Sequence, residues 1–322
     1  MKPSYLCYLL ISASCWACQP KDALQQAPPL PDGPFFQSVP TDTPTLLGAG
    51  RISSVLTEYN GTFPPDGTTF FYTSEVAGKG HIVFSHMQED GHWSQPAIAP
   101  FSGTYSEYDP IFSPDGSRLY FSSERPIPGQ DQPSGTHIWW VEPSADGWSE
   151  PTFVPLGLDG AYYSSWTKDG RLFFNTWNTG DIRMATPSDT GFVVETLPPS
   201  INGKSDVGDP FVSPEGDYLI FRGYFREGLG RGDLYISFAE EQGGWGEPIN
   251  LGAPINSSAH EMCPYVTVDG KLFVFASDRL QENYPNQPLE ALQETSRSWD
   301  NRNQKIYTMG TDFIEQLRAS QP

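Results

Sequence analysis

The chain has 322 residues and a formal net charge of −20, with 39 acidic side chains against 19 basic ones. A surface this acidic repels phosphate backbones and argues against nucleic acid as a partner. Aromatic residues make up 14% of the chain and glycine and proline number 31 each, a mixture that suits short strands joined by tight turns and disfavours a long-helix architecture. The charge has two readings: ordinary solubility, or an acidic channel that attracts cations or a basic partner.

In chain order, the first element is a processing segment over residues 1–17. Lys2 supplies a positive start, and Tyr5 to Ala13 form an apolar run too short to cross a bilayer. Small residues then precede two cysteines, in Ser12-Ala13-Ser14-Cys15 and Cys15-Trp16-Ala17-Cys18. The arrangement resembles a bacterial lipoprotein signal, which implies lipid on the cysteine that becomes the first mature residue. Cys18 is preferred because Ala17 precedes it and a polar stretch follows, with Cys15 the alternative; an ordinary cleaved export peptide is the other reading. With Gln19 next, the resemblance implies anchoring to the outer membrane, at the periplasmic or outer surface. Residues 18–34, rich in Gln, Pro and Asp, have little to bury and are expected to form a flexible tether. No stretch beyond residue 18 is apolar enough to span a bilayer as a helix. Cys263 then has no partner in the remaining domain, 35–322, and reads as a small buried hydrophobe.

Within that domain one unit recurs. Tyr108-Asp109-Pro110-Ile111-Phe112-Ser113-Pro114-Asp115-Gly116 parallels Asp209-Pro210-Phe211-Val212-Ser213-Pro214-Glu215-Gly216 and Cys263-Pro264-Tyr265-Val266-Thr267-Val268-Asp269-Gly270. Further copies end at Gly67 and Gly170, and a period of about 50 residues means propeller blades or a solenoid. In each copy a first strand ends in a turn where Asp bonds its own backbone and Gly takes a positive φ. An apolar second strand follows, as in Leu119-Tyr120-Phe121 and Leu272-Phe273-Val274-Phe275. A third begins at His81, His137, Asp181, Asp233 or Lys305; these five read as solvent positions at a strand end. Three copies then carry Trp-x-x-Pro, at Trp93, Trp148 and Trp245, as suits an outer edge strand.

The last copy lacks that outer strand, whereas Pro44-Thr45-Leu46-Leu47-Gly48 near the start resembles Pro248-Ile249-Asn250-Leu251-Gly252. The expected fold is therefore all-β: a five-bladed β-propeller of four-stranded blades, its ring closed by an N-terminal strand in the last blade. The repeat is similar to the WD40-like repeat of TolB-type propellers over residues 44 to 310. That resemblance implies a periplasmic or surface location and a role in recognition or assembly, without implying one reaction.

Innermost strands line a propeller's channel, so polar residues leading the first strand of each copy converge by symmetry. They are Glu58 and Asn60, Glu107 and Asp109, Tyr163, Asp209, and His260 with Glu261. Three uses are open. They cap strands and hold channel waters; they bind a protein, peptide or glycan ligand, or a Ca²⁺ ion, across the channel mouth; or they form a glycoside-hydrolase pair drawn from Asp109, Asp209 and Glu261, one acid and one ionised. Tyr162, Tyr163, Trp166 and Trp177 make the third copy aromatic, either as core or as a sugar-stacking platform. Two long connections, Gly223 to Gly232 with Arg226 and Arg231, and residues 278–304 with a helical turn at Leu289 to Thr295, are candidate binding loops. No phosphate loop, nucleophile elbow or zinc motif is present, and no cofactor is expected beyond the possible Ca²⁺. The reading favoured is a non-catalytic binding or assembly module, with a glycoside-processing enzyme as the alternative.

Overall fold

The computed structural model describes residues 40–145, 147–203, 206–279 and 288–321. The export segment 1–17, Cys15, Cys18 and the tether 18–34 lie outside the described residues. The rest forms five antiparallel four-stranded sheets around one axis. Strand β1 (Thr45–Leu46) comes first in the chain. Blade one is β2 (Thr57–Thr62), β3 (Thr69–Val76), β4 (Lys79–His86) and β5 (Ala97–Ile98). Blade two is β6 (Glu107–Phe112), β7 (Leu119–Ser123), β8 (His137–Val141) and β11 (Thr152–Phe153), with a small hairpin, β9 (Pro143–Ser144) and β10 (Gly147–Trp148), before the last. Blade three is β12 (Ala161–Trp166), β13 (Leu172–Thr176), β14 (Ile182–Ser188) and β15 (Gly191–Thr196), followed by the single-turn α1 (Pro199–Asn202). Blade four is β16 (Val207–Val212), β17 (Tyr218–Tyr224), β18 (Gly232–Phe238) and β19 (Ile249–Asn250). Blade five is β20 (Glu261–Val266), β21 (Leu272–Ser277) and β22 (Lys305–Gly310), with α2 (Leu289–Ser296) between the last two and α3 (Asp312–Ala319) behind.

The ring closes as its repeats require. β1 pairs with β22, Thr45 opposite Thr308 and Leu46 opposite Tyr307, so the chain's first described strand is the outer strand of its last blade, covering the edge of β22 and locking the ring. Turn glycines 67, 116, 170, 216 and 270 all have φ between 65° and 85°, a region that costs a side chain-bearing residue strain. Beside them Asp66, Asp115 and Asp269 accept bonds from the amides of Thr68, Ser117 and Lys271 at 2.9, 3.0 and 3.2 Å. Apolar second strands pack blade against blade. Tyr120 stacks on Trp166 with centroids 4.3 Å apart, and Phe211 meets Tyr265 edge-on at 5.6 Å. Across the closure, Tyr265 donates to the Phe63 carbonyl at 3.1 Å.

Every inner strand carries a bulge at the same place, where register slips against the second strand. The bulged residues are Asn60, Asp109, Tyr163, Asp209 and Cys263, all at φ between 51° and 58°. A left-handed residue in a strand turns its amide out of the sheet ladder, and a buried amide must find another acceptor. The preceding blade supplies one. Thr73 Oγ1 accepts from Asp109 N at 3.1 Å, Ser122 Oγ from Tyr163 N at 2.9 Å, and Asn175 Oδ1 from Asp209 N at 2.8 Å. These acceptors occupy one repeat position on β3, β7 and β13. On β17 the same position is Arg222, which has no acceptor, and there the Asp209 carboxylate accepts from Cys263 N at 3.2 Å.

The strand-end positions expected to face solvent are a correction. His137, Asp233 and Lys305 are buried: Asp233 accepts from the amide of Gly230 and from Asn250, and Lys305 ion-pairs with Glu58 across the closure at 3.1 Å. They hold the loops of the mouth, and polar groups so placed are buried because each has a partner.

Ser122→Ala leaves the Tyr163 amide without its acceptor and removes one of the two side-chain donors to Asp109. It is expected to destabilise the fold by about 1–3 kcal/mol, read as a lower urea midpoint at unchanged m-value; an unchanged midpoint would remove the inter-blade role given to this bond.

Candidate functional site

The five inner strands start at one face of the ring, and a cavity of about 540 Å³ opens there. Its floor is the bulged ring. Asn60 Nδ2 donates to Asp109 Oδ1 at 3.3 Å, and Ser122 Oγ donates to Asp109 Oδ2 at 3.1 Å. Arg222 Nε lies 3.1 Å from Asp209 Oδ2. Tyr163 of blade three is buried and reaches blade five, its hydroxyl 3.4 Å from the Pro264 carbonyl. Cys263 beside it is a free, buried thiol; burial first, then the Asp209 and Asp109 carboxylates, push its pKa up, so it stays protonated and is a poor nucleophile.

Above the floor, the residue before each bulged one forms a wall: Tyr59, Tyr108, Tyr162, Gly208 and Met262. Outside the wall, one repeat position near the end of each second strand or just past it holds Glu75, Glu124, Trp177, Tyr224 and Asp278; Glu75, Glu124 and Trp177 line the cavity as its rim. Wall and rim meet blade by blade. Tyr59 donates to Glu75 at 3.2 Å and Tyr108 to Glu124 at 2.7 Å. Tyr162 stacks on Trp177 with centroids 4.4 Å apart and planes 17° off parallel, and Trp177 remains 61% exposed. In blade four Gly208 leaves the wall position empty of side chain, and Arg222 fills it: a Cβ on Gly208 would lie 2.4 Å from an Arg222 nitrogen. Arg222 in turn lies under Tyr224 and 3.4 Å from His260 Nε2. An Arg has only hydrogens to offer, so that ring nitrogen is the acceptor and His260 is neutral. Burial first, then Arg222, push its pKa below the usual value.

Asp109 is the carboxyl of the floor held away from its ordinary state. Burial, then the neighbouring Asp209, push its pKa up to about 7, against the opposing pull of Asn60, Ser122 and Arg222. A carboxyl so placed carries a proton near neutrality while Asp209 is ion-paired, the separation of states that acid–base pairs use.

The sequence-derived candidates divide cleanly. Asp109, Tyr163, Asp209 and His260 line the cavity. Glu58, Glu107 and Glu261 do not; they are fully buried and engaged elsewhere. Glu107 accepts from Arg125, Ser102 and the Gly103 amide, and Glu261 from Arg279, Ser277 and the Ser257 amide. Each carboxylate pins the loop that enters its own blade, so the pairing of Glu261 with Asp109 and Asp209 as catalytic carboxylates does not form. Arg226 is also buried away from the cavity, donating to the Ile201 and Ser200 carbonyls. Trp166 lies in the core, whereas Tyr162 and Trp177 form an open shelf. Among the described residues no group of three or more His, Cys, Asp or Glu could hold a metal ion. Sequence reading missed the lining residues Tyr59, Tyr108, Glu75 and Glu124, and above all Arg222. Its signal was a repeat position reading Thr73, Ser122, Asn175, Arg222, Ala276, where one large cation replaces small or neutral residues, opposite the one wall position without a side chain.

Fold and site together define a five-bladed β-propeller with an aromatic and acidic funnel at one mouth. No family model matches the chain, and no curated protein does. Solved structures similar to it include TolB from Acinetobacter baumannii, at 21% identity over 59% of this chain and 45% of that one, with a TM-score of 0.39. They also include a glycoside hydrolase at 11% identity over 85% and 92%, TM-score 0.51, and an alpha-L-arabinofuranosidase from Lactobacillus brevis at 12% over 81% and 92%, TM-score 0.48. The chain spans less than half the length of that TolB. At these identities the likeness is one of fold.

The raised Asp109 has a stability consequence of definite sign. Unfolded, it loses its proton near pH 4; folded, it keeps it to about 7. Between these values the folded chain binds more protons, so stability from this group falls as pH rises. Asp109→Asn keeps a residue that tolerates the left-handed conformation, as Asn60 does in blade one. The variant is expected to melt above the parent at pH 8, with the gap closing below pH 5; a lower melting temperature at pH 8 would contradict the assignment.

Proposed function

We propose that the chain is an exported, non-catalytic binding or assembly module that takes its ligand, a protein, peptide or glycan, into the funnel. We place it in the periplasm or at the cell surface, tethered to the outer membrane by lipid on Cys18. One observation carries the binding reading. The charged groups of the floor are occupied in holding blades together, Asp109 by Asn60 and Ser122, Asp209 by Arg222 and the Cys263 amide. The groups that face open space are those of recognition: a half-exposed tryptophan shelf and tyrosines whose hydroxyls fix two carboxylates. Apolar walls with a few placed polar groups are the usual make-up of a ligand site.

A second reading, glycoside processing by Asp109 and Asp209, is favoured by the one protonated and one ion-paired carboxyl beneath an aromatic shelf. Turnover separates the two. A thermal-shift screen against oligosaccharides, peptidoglycan fragments, peptides and divalent cations is expected to find a binder; at 100 times its Kd a ligand adds about 2.7 kcal/mol of stability. Trp177→Ala is expected to abolish that shift without lowering the unliganded melting temperature, because its ring is largely in solvent. Asp109→Asn is expected to leave a measurable shift. Product formed from a saccharide, and lost in Asp109→Asn, would replace the binding reading with the enzymatic one.

The anchor has its own test. Cys18→Ala is expected to move the chain from the membrane to the soluble fraction, and Cys15→Ala to leave it membrane-bound; the reverse result would transfer the lipid to Cys15.

A further inference from the structure

Charge and aromaticity in the funnel are not distributed at random. Four carboxyl groups, on Glu75, Glu124, Asp109 and Asp209, border the cavity, against one guanidinium, that of Arg222, and a neutral His260. Arg222 already offsets Asp209. Among the described residues, blades one and two therefore present two carboxylates with no cation bonded to them, each held in place by a tyrosine hydroxyl 3.2 or 2.7 Å away. Between and beside these carboxylates stand the rings of Tyr59, Tyr108, Tyr162 and Trp177. Ring faces attract a cation by their quadrupole, and the half-buried Glu75 carboxylate, with the exposed Glu124 beside it, strengthens that attraction. Anions and phosphates meet the opposite field.

Around the mouth, the loops on the same face hold most of the exposed large apolar side chains. Val55 precedes β2, Val76 ends β3, Phe225 and Leu229 sit between β17 and β18, and Leu289 and Leu292 lie on α2 between β21 and β22. An apolar margin around a charged recess is the surface of a protein contact rather than of a site for a small free amine.

From this we infer that the funnel receives an arginine or lysine side chain carried on a protein partner, the cation seated between Glu75 and Glu124 and its stem against the Tyr162–Trp177 shelf. The inference rests on the binding reading above and narrows it to one ligand chemistry.

Isothermal titration of the full chain tests it with N-acetyl-Gly-Arg-Gly-amide, the same peptide with neutral citrulline in place of arginine, and the free cations guanidinium and choline. The arginine peptide is expected to bind at least about tenfold more tightly than the citrulline peptide, a preference of some 1.4 kcal/mol. Glu75→Gln with Glu124→Gln is expected to erase that preference while leaving citrulline affinity unchanged. If the double variant melts early, Glu124→Gln alone serves, since its side chain is exposed. Tyr59→Phe with Tyr108→Phe, which keeps both carboxylates, is expected to retain most of the preference. Equal affinity for the two peptides would overturn the inference and leave the binding reading standing. Tighter binding of free guanidinium or choline than of the arginine peptide would overturn it as well. If peptides and oligosaccharides alike fail to bind, the binding reading falls with it.

Discussion

A backbone amide turned out of its sheet is the constraint on which this structure depends. At the bulge of each inner strand one residue takes a left-handed conformation, which is expensive for a tyrosine or cysteine and persists only when its surroundings enforce it. The enforcing bond comes from the preceding blade in four of the five cases: Thr73, Ser122, Asn175 and the Asp209 carboxylate. Each blade thus specifies the backbone of the next. The same bulge points side chains at the axis and brings Asp109, Tyr163 and Asp209 onto one floor from strands about 50 residues apart.

That arrangement explains the division of labour among the carboxylates. Residues two apart on an ordinary strand share a face, which made Glu107 and Asp109 look equivalent. The intervening geometry sends Glu107 outward to Arg125 and the Gly103 amide, and Asp109 inward to Asn60 and Ser122. Glu261 follows Glu107, with Arg279 as its partner. Breaking a buried pair of this kind exposes an uncompensated charge to a dry interior, so these carboxylates are tied to folding.

Blade four departs from the others where the site is most polar. Its Gly208 and Arg222 exchange the bulky wall and small second-strand residue of blades one to three for the opposite combination. The guanidinium neutralises Asp209 and, through His260 and Tyr224, closes that side of the funnel. Blades one to three are left with hydroxyls, carboxylates and the tryptophan shelf facing the opening. The funnel is consequently polarised, one wall satisfied internally and the other open to a ligand.

The sequence by itself determined the architecture. Five copies of an acidic residue-Gly turn, Pro-Asp-Gly in two of them and a variant in the others, each followed by an apolar strand, dictate five sheets, because local turn chemistry and strand patterning act over a few residues. The match of Pro44-Thr45-Leu46-Leu47-Gly48 to Pro248-Ile249-Asn250-Leu251-Gly252 determined the closure. It also brought Asp109, Tyr163, Asp209 and His260 together by symmetry. Only the tertiary structure decided that Glu58, Glu107 and Glu261 serve loops, that His137, Asp233 and Lys305 are buried, and that Arg222 completes the floor. Those outcomes depend on which way a bulge turns one amide and on which neighbour in the next blade satisfies it. Such partners lie dozens of residues away, and a linear pattern does not record them.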